Sequence, residues 1–141
     1  MLPIKKNILI FFILALSFLV ILFIATLREQ VLKPFTSDGC SAFPDGSIQH
    51  KELWLACCTE HDFSYWKGGT YQERLIADKT LQACVAKIGR KKTASIMLAG
   101  VRVGGSPFWP TTFRWGYGWS YPRFYKPLTK SELEQVKKLS E

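Results

Sequence analysis

Two adjacent cysteines, Cys57 and Cys58, with Cys40 upstream and Cys84 downstream, constrain this chain more than any other feature. An even number of cysteines in an oxidising compartment reads as two disulfides. Neighbouring side chains on a helix point about 100° apart, so a bond between Cys57 and Cys58 is strained. Two pairings remain open: Cys40 with Cys58 and Cys57 with Cys84, or Cys40 with Cys57 and Cys58 with Cys84. Either pairing staples one helix to a loop and to a second helix. A zinc site built from cysteines and His61 competes with this reading. Zinc favours spacings such as C-x2-C, and a vicinal pair suits one tetrahedral ion poorly.

The compartment follows from the start of the chain. Residues 8–27 are apolar apart from Ser17 and Thr26. A helix of roughly 20 residues spans about 30 Å, the thickness of a bilayer core. Lys5 and Lys6 precede it as a positive cytoplasmic flank. The sequence therefore predicts an uncleaved N-terminal transmembrane signal anchor over residues 1–30, with everything after Arg28 on the outer, periplasmic or extracellular, face. Secretion after cleavage is the alternative. Signal peptides have shorter apolar regions, about 7 to 15 residues, that end in small residues. Here Phe23 and Ile24 precede Ala25. A soluble buried helix is the third alternative.

A chain of 141 residues leaves one small domain beyond the anchor. It is too short for a complete doubly wound dinucleotide fold. A composition of 48% hydrophobic and 14% aromatic residues excludes a disordered tail. The net charge of +8 suits nucleic acid, anionic lipid or acidic glycan alike. The outer-face placement excludes nucleic acid and leaves membrane phospholipid as the expected partner.

Residues 29–35 read as a linker. Residues 38–46, rich in Gly, Pro, Asp and Ser, read as a loop. Apolar spacing predicts a helix over residues 51–66, stopped by Gly68-Gly69. Thr70 and Glu73 form a capping box that opens a second helix. The buried face expected for it is Leu75, Ala77, Leu81, Cys84, Val85 and Ile88. Residues 89–92 read as a basic break and residues 93–103 as a third, apolar helix. Thr129 and Glu132 start a short polar helix at the end. The fold class is mainly α: a transmembrane helix, a small disulfide-linked antiparallel helix pair over 31–105, and an aromatic-rich, irregular segment over 106–141.

The candidate chemistry sits on the helix pair. His61 follows Cys57 by one turn and Tyr65 follows His61 by another, so the three share a face. Asp62 points to the neighbouring side and suits a cation. Asp78 on the second helix is placed to accept a hydrogen bond from one ring nitrogen of His61. That fixes the tautomer and leaves the other nitrogen free to take a proton from water. The plain alternative is that Arg74 and Asp78, four apart, pair on the helix surface. Asp38 and Gly39 in the loop supply hard oxygen ligands that suit calcium rather than zinc, unless Asp38-Gly39 and Asp45-Gly46 are only turns.

The stretch Asp38-Gly-Cys-Ser-Ala-Phe-Pro-Asp45, followed by Ala56-Cys-Cys-Thr-Glu-His-Asp-Phe-Ser-Tyr65, resembles the secreted phospholipase A2 superfamily. The loop resembles the bacterial and fungal pattern D-x-C-[ST]-x-x-P-D before C-x-x-H-D-x-x-Y. The doubled cysteine is similar to the animal pattern C-C-x-x-H-D-x-C-Y. The likeness covers roughly residues 36–88. It implies that His61 is the general base, that Asp78 orients it and that Tyr65 supports Asp78. It implies calcium bound by Asp62, the Asp38 side chain and the Gly39 carbonyl, and it implies the pairs Cys40–Cys58 and Cys57–Cys84. The implied activity is hydrolysis of the sn-2 ester of glycerophospholipids. Departures stand against it: the loop lacks the glycine-rich run of the animal enzymes, Ser64 replaces a family cysteine, the gap from His61 to Asp78 is short, and the C-terminal third and the anchor have no counterpart. They keep open a non-catalytic, membrane-anchored envelope or lipid-binding module on the same scaffold.

Within the last segment, Trp115, Tyr117, Trp119 and Tyr121 alternate with Gly116, Gly118 and Ser120. An extended strand puts the four rings on one side. Trp115, Tyr117 and Trp119 then become candidate lipid contacts, with Arg114, Arg123 and Lys126 facing phosphates. The other reading is a lid that packs these rings over the helices.

Overall fold

A computed structural model describes residues 3–27, 30–88 and 90–140, with side chains of the first helix described from 8 to 21. Among the described residues there are five helices and no strand: α1 (Pro3–Leu27), α2 (Leu55–Lys67), α3 (Tyr71–Lys87), α4 (Lys91–Gly104) and α5 (Lys130–Ser140). The chain divides into two compact units, Met1–Gln30 and Val31–Glu141.

The first unit is α1. Its side chains over 8–21 are exposed except for the half-buried Ala15. Among the described residues no helix is long and apolar enough to cross a membrane. The anchor therefore stands on the amino-acid pattern alone. The side chains of Lys5 and Lys6 and the whole of Arg28, Glu29 and Gly89 lie outside the described residues.

The second unit is built on α2, α3 and α4. Helix α2 begins at Leu55, later than the pattern suggests, because loop carbonyls capture the backbone first. The N–H groups of Leu53 and Trp54 donate to His50 and Asp45, and the Trp54 indole donates to the Pro44 carbonyl at 2.6 Å. The helix ends at Gly68, whose φ of 67° favours glycine and whose missing Cβ leaves room for the backbone of Gly116. The capping box of Thr70 and Glu73 then opens α3.

Disulfides join Cys40 to Cys58 and Cys57 to Cys84. All four cysteines are thus oxidised and none remains as a thiolate for zinc. The register along the pair is antiparallel: Cys57 meets Cys84, His61 meets Asp78 and Tyr65 meets Arg74. Cys40, Trp54, Cys57, Cys58, Leu81, Val85, Ala94 and Met97 form the main core. The inner face of α3 departs from the expected apolar set. Arg74 and Asp78 are buried with Ala77, Leu81 and Val85, whereas Leu75 and Cys84 are half-buried and Ile88 is exposed. Arg74 and Asp78 are therefore not a solvent-exposed surface pair.

Residues 106–128 form turns and bends around α2, not a strand. Trp115 and Trp119 are each 1% exposed, so neither is available for lipid contact. Their indoles are held inward by carbonyls that a helix C-terminus and its Gly-Gly exit leave unpaired. Trp119 donates to Lys67 at 2.7 Å and Trp115 to Gly69 at 2.9 Å. Tyr117 is half-buried and donates to the Thr36 carbonyl. Arg114 and Arg123 are also buried: Arg114 donates to the carbonyls of Gly116 and Trp119, and Arg123 pairs with Glu132 at 2.6 Å. The segment behaves as the packed lid, and α5 closes it, with Thr129 and Glu132 exchanging cap hydrogen bonds.

Two outcomes follow. The Cys57–Cys84 bridge closes a separation of 27 residues. Replacing both residues by serine is expected to cost about 3 to 4 kcal/mol in urea unfolding by loop-entropy reasoning. Burial alone would raise the Glu132 carboxyl, but the Arg123 guanidinium, the Thr129 N–H and Lys126 outweigh it and hold the pKa at about 2. A depressed acid stabilises the fold above its unfolded pKa and loses that effect as pH falls through the folded value. Glu132→Gln is therefore expected to lower Tm at pH 7, with the difference from wild type closing as pH approaches 2.

Candidate active site

His61 and Asp62 lie on the middle of α2, where both disulfides begin one turn earlier. His61 is 8% exposed and Asp78 is fully buried. His61 Nε2 lies 3.0 Å from Asp78 Oδ1, within hydrogen-bond distance. Tyr65 donates its hydroxyl to the same oxygen at 2.7 Å, and its ring rests against the imidazole with centroids 4.2 Å apart. Burial, and then the charge of Asp78, pushes the Tyr65 phenol well above its ordinary range, so the hydroxyl keeps its proton. Gly105 has no Cβ because one there would collide with the Tyr65 ring. Trp115 meets that ring edge-on at 5.1 Å.

Two arginines complete the surroundings of Asp78. Arg102 Nε stands 2.8 Å from Oδ2, a charge contact rather than an aligned hydrogen bond, since Oδ2 accepts none. Arg74 Nε is 4.0 Å from Oδ2 and donates instead to the Tyr65 hydroxyl at 3.0 Å. The rest of the Arg74 guanidinium reaches Tyr125 Oη and the carbonyls of Val101 and Arg102. These two carbonyls belong to the last turn of α4; that of Val101 also accepts the Gly105 N–H at 3.0 Å. Arg74 thus joins α2, α3, α4 and the aromatic segment at one point.

A cleft of about 330 Å³ opens beside His61. Ala42, Phe43, Leu81, Ile96, Met97 and Phe113 give it an apolar wall, and His61, Asp62 and Tyr65 give it a polar end. A neighbouring cavity of about 170 Å³ is lined by Ser37, Asp38, Ser41, Asp62 and Tyr117. Asp62 therefore borders both spaces.

The two carboxylates are held differently. Asp62 is 9% exposed and accepts from the Ser37 hydroxyl at 2.6 Å. Burial raises its pKa to about 6; Asp38 adds to the rise, while Ser37, His61 and the Asp38 backbone oppose it. Asp38 is exposed and accepts from Ser41 at 2.6 Å. Tyr117 covers this corner, its phenol pushed upward by burial and by the charges of Asp62 and Asp38. Asp45 does not join them. Its Oδ1 accepts the Cys40 N–H at 2.7 Å, which shapes the loop, and it fills the space beside Gly39, whose φ is 78°.

This donor chemistry fits a hard dication: a desolvated carboxylate whose ionisation is opposed by burial, a second carboxylate nearby, and loop oxygens from 37–41. No group of three or more His, Cys, Asp or Glu side chains able to hold a metal is found among the described residues. A calcium ion, which takes about six to eight oxygen ligands, would have to draw most of them here from carbonyls and water.

Of the residues singled out in the sequence, His61, Asp78 and Tyr65 meet in one network, and Asp38 and Asp62 share one cavity. Arg74 was visible only as a spacing partner of Asp78, and Arg102 and Ser37 escaped notice. A lone cation in the apolar stretch 93–103 is the one signal that marks Arg102. Comparison with protein-family models, curated proteins and solved structures finds no match for this chain.

Tyr65→Phe removes the donor to Asp78 and the acceptor for Arg74 together. The expected loss is about 1 to 3 kcal/mol in urea unfolding, the usual cost of unsatisfied buried polar groups.

Proposed function

We propose that this chain is a membrane-anchored, calcium-dependent, phospholipase A2-like hydrolase that releases fatty acid from the sn-2 ester of glycerophospholipids. The observation that carries the reading is the buried pair of His61 Nε2 and Asp78 Oδ1, 3.0 Å apart, with His61 lining an apolar cleft and Asp78 behind it.

In this reading His61 is the general base. With its proton on Nε2 the ring donates to Asp78, and Nδ1 makes no hydrogen bond among the described residues. Nδ1 takes a proton from water as the oxygen attacks the ester carbonyl, Asp78 stabilises the imidazolium that forms, and the imidazolium returns the proton to the lysophospholipid alkoxide as the sn-2 C–O bond breaks. Tyr65 holds the carboxylate in place. Phe43, Leu81, Met97 and Phe113 exclude bulk water and accept an acyl chain. Asp38, Asp62 and the Gly39 carbonyl would hold calcium, which when bound supplies Lewis-acid stabilisation of the phosphate and the developing oxyanion. Anchoring rests on the apolar run of residues 8–27, which puts the catalytic unit on the outer face of the membrane.

The test uses the full chain in detergent micelles or reconstituted vesicles of mixed phosphatidylglycerol and phosphatidylethanolamine. Fatty-acid release is expected with calcium and is expected to vanish with chelator. His61→Ala should lower the rate by at least about 100-fold, the scale of a lost general base. Asp62→Asn should lower it and weaken the calcium response. Vesicle binding without turnover would replace this reading by the lipid-binding module. Release unchanged in His61→Ala would remove His61 from the reaction.

A further inference from the structure

We propose that Arg102 is a positioning residue, which holds one oxygen of the Asp78 carboxylate and so fixes the plane that turns the other toward His61 and Tyr65. The inference rests on the hydrolase reading for its kinetic consequence, though the geometry it describes is independent of any activity.

Asp78 has no contact with solvent, so protein groups must balance its charge. Its two oxygens are used unequally. Oδ1 takes the Tyr65 hydroxyl at 2.7 Å and faces His61 Nε2 at 3.0 Å. Oδ2 accepts no hydrogen bond, and the nearest cation is Arg102 Nε at 2.8 Å, with Arg74 Nε at 4.0 Å. Without Arg102 the carboxylate would carry a buried, unbalanced oxygen, and its plane could turn about the Cβ–Cγ bond and draw the acceptor oxygen away from His61. With Arg102 a partial turn of the plane loses the charge contact.

Arg102 is itself fixed. Its Nη2 donates to the Leu75 carbonyl at 3.2 Å, one turn before Asp78 on α3. Its own carbonyl accepts from Arg74 Nη2 at 2.9 Å. The two arginines therefore cross: each comes from one helix and is tied to the other. Arg74 is spent on Tyr65, Tyr125 and the α4 carbonyls, which leaves Arg102 as the group that meets Oδ2. Its side chain is 30% exposed, so it reaches Asp78 from the rim of the unit rather than through the core. A neutral replacement at this rim leaves the apolar packing intact.

The experiment compares wild type with Arg102→Gln and Arg102→Lys in the full chain in micelles. Asp78→Asn serves as the control that assigns the signal. The first readout is the downfield proton resonance of His61 Nε2–H in histidine-labelled protein at fixed pH. It should be present in wild type, lost or displaced in Arg102→Gln, and partly restored in Arg102→Lys. The second is fatty-acid release. Here kcat should fall by about 10- to 100-fold in Arg102→Gln with KM little changed, as misplacement of a catalytic group predicts, and guanidinium added in solution should recover part of it. Far-UV circular dichroism checks that the variants fold. A resonance that stays unchanged in Arg102→Gln overturns the proposal. Should wild type hydrolyse nothing, the catalytic reading fails while the resonance still decides the role of Arg102. Should the Gln variant not fold, the Lys variant decides it by the same resonance.

Discussion

A carboxylate without solvent, Asp78, is the constraint on which the second unit of this protein depends. Burying such a charge is costly unless donors and cations surround it. The groups come from three helices: the hydrogen-bonding partners His61 and Tyr65 from α2, and the cations Arg74 from its own helix α3 and Arg102 from α4. Each must arrive in a set register, so one charge dictates how the three helices stack. The disulfides from Cys57 and Cys58 pin the far end of the same arrangement. The apolar core between them is small, and covalent ties are the usual help for a core of that size.

The aromatic segment is part of this site rather than an appendage. Trp115 and Trp119 occupy carbonyls at the exit of α2 and wedge the helix that carries His61. Tyr125 receives the Arg74 guanidinium, and Tyr117 covers the corner shared by Asp38 and Asp62. Phe113 contributes to both cavities. Removing this segment would expose the back of Tyr65 and leave α5 without the Arg123–Glu132 pair that ties it down.

Much of the helix pair was legible in the sequence because its signals are local. Thr70 and Glu73 lie three apart and cap their own helix. Cys57, His61 and Tyr65 repeat at one-turn spacing. The loop around Cys40 and the doubled cysteine narrowed the disulfides to two pairings, and resemblance to a known family singled out the one observed. The illegible parts all depend on distant partners. Trp115 to Tyr121 alternate as a strand does, yet no neighbouring strand exists among the described residues to pair with, and indole-to-carbonyl bonds hold the chain in turns instead. Arg74 looked like a surface ion-pair partner because spacing on one helix says nothing about what packs over it.

The sequence by itself determined the helix caps, the oxidised cysteines, the apolar run at the start and the identity of the residues that can do acid–base chemistry. Those are properties of side-chain type and of spacing within a few residues. Only the tertiary structure decided how the Asp78 carboxylate is turned toward His61, that Arg102 stands behind it, and that the tryptophans point inward. Those facts depend on long-range packing, where a buried charge or an unpaired carbonyl selects its partner by reach and direction rather than by position along the chain.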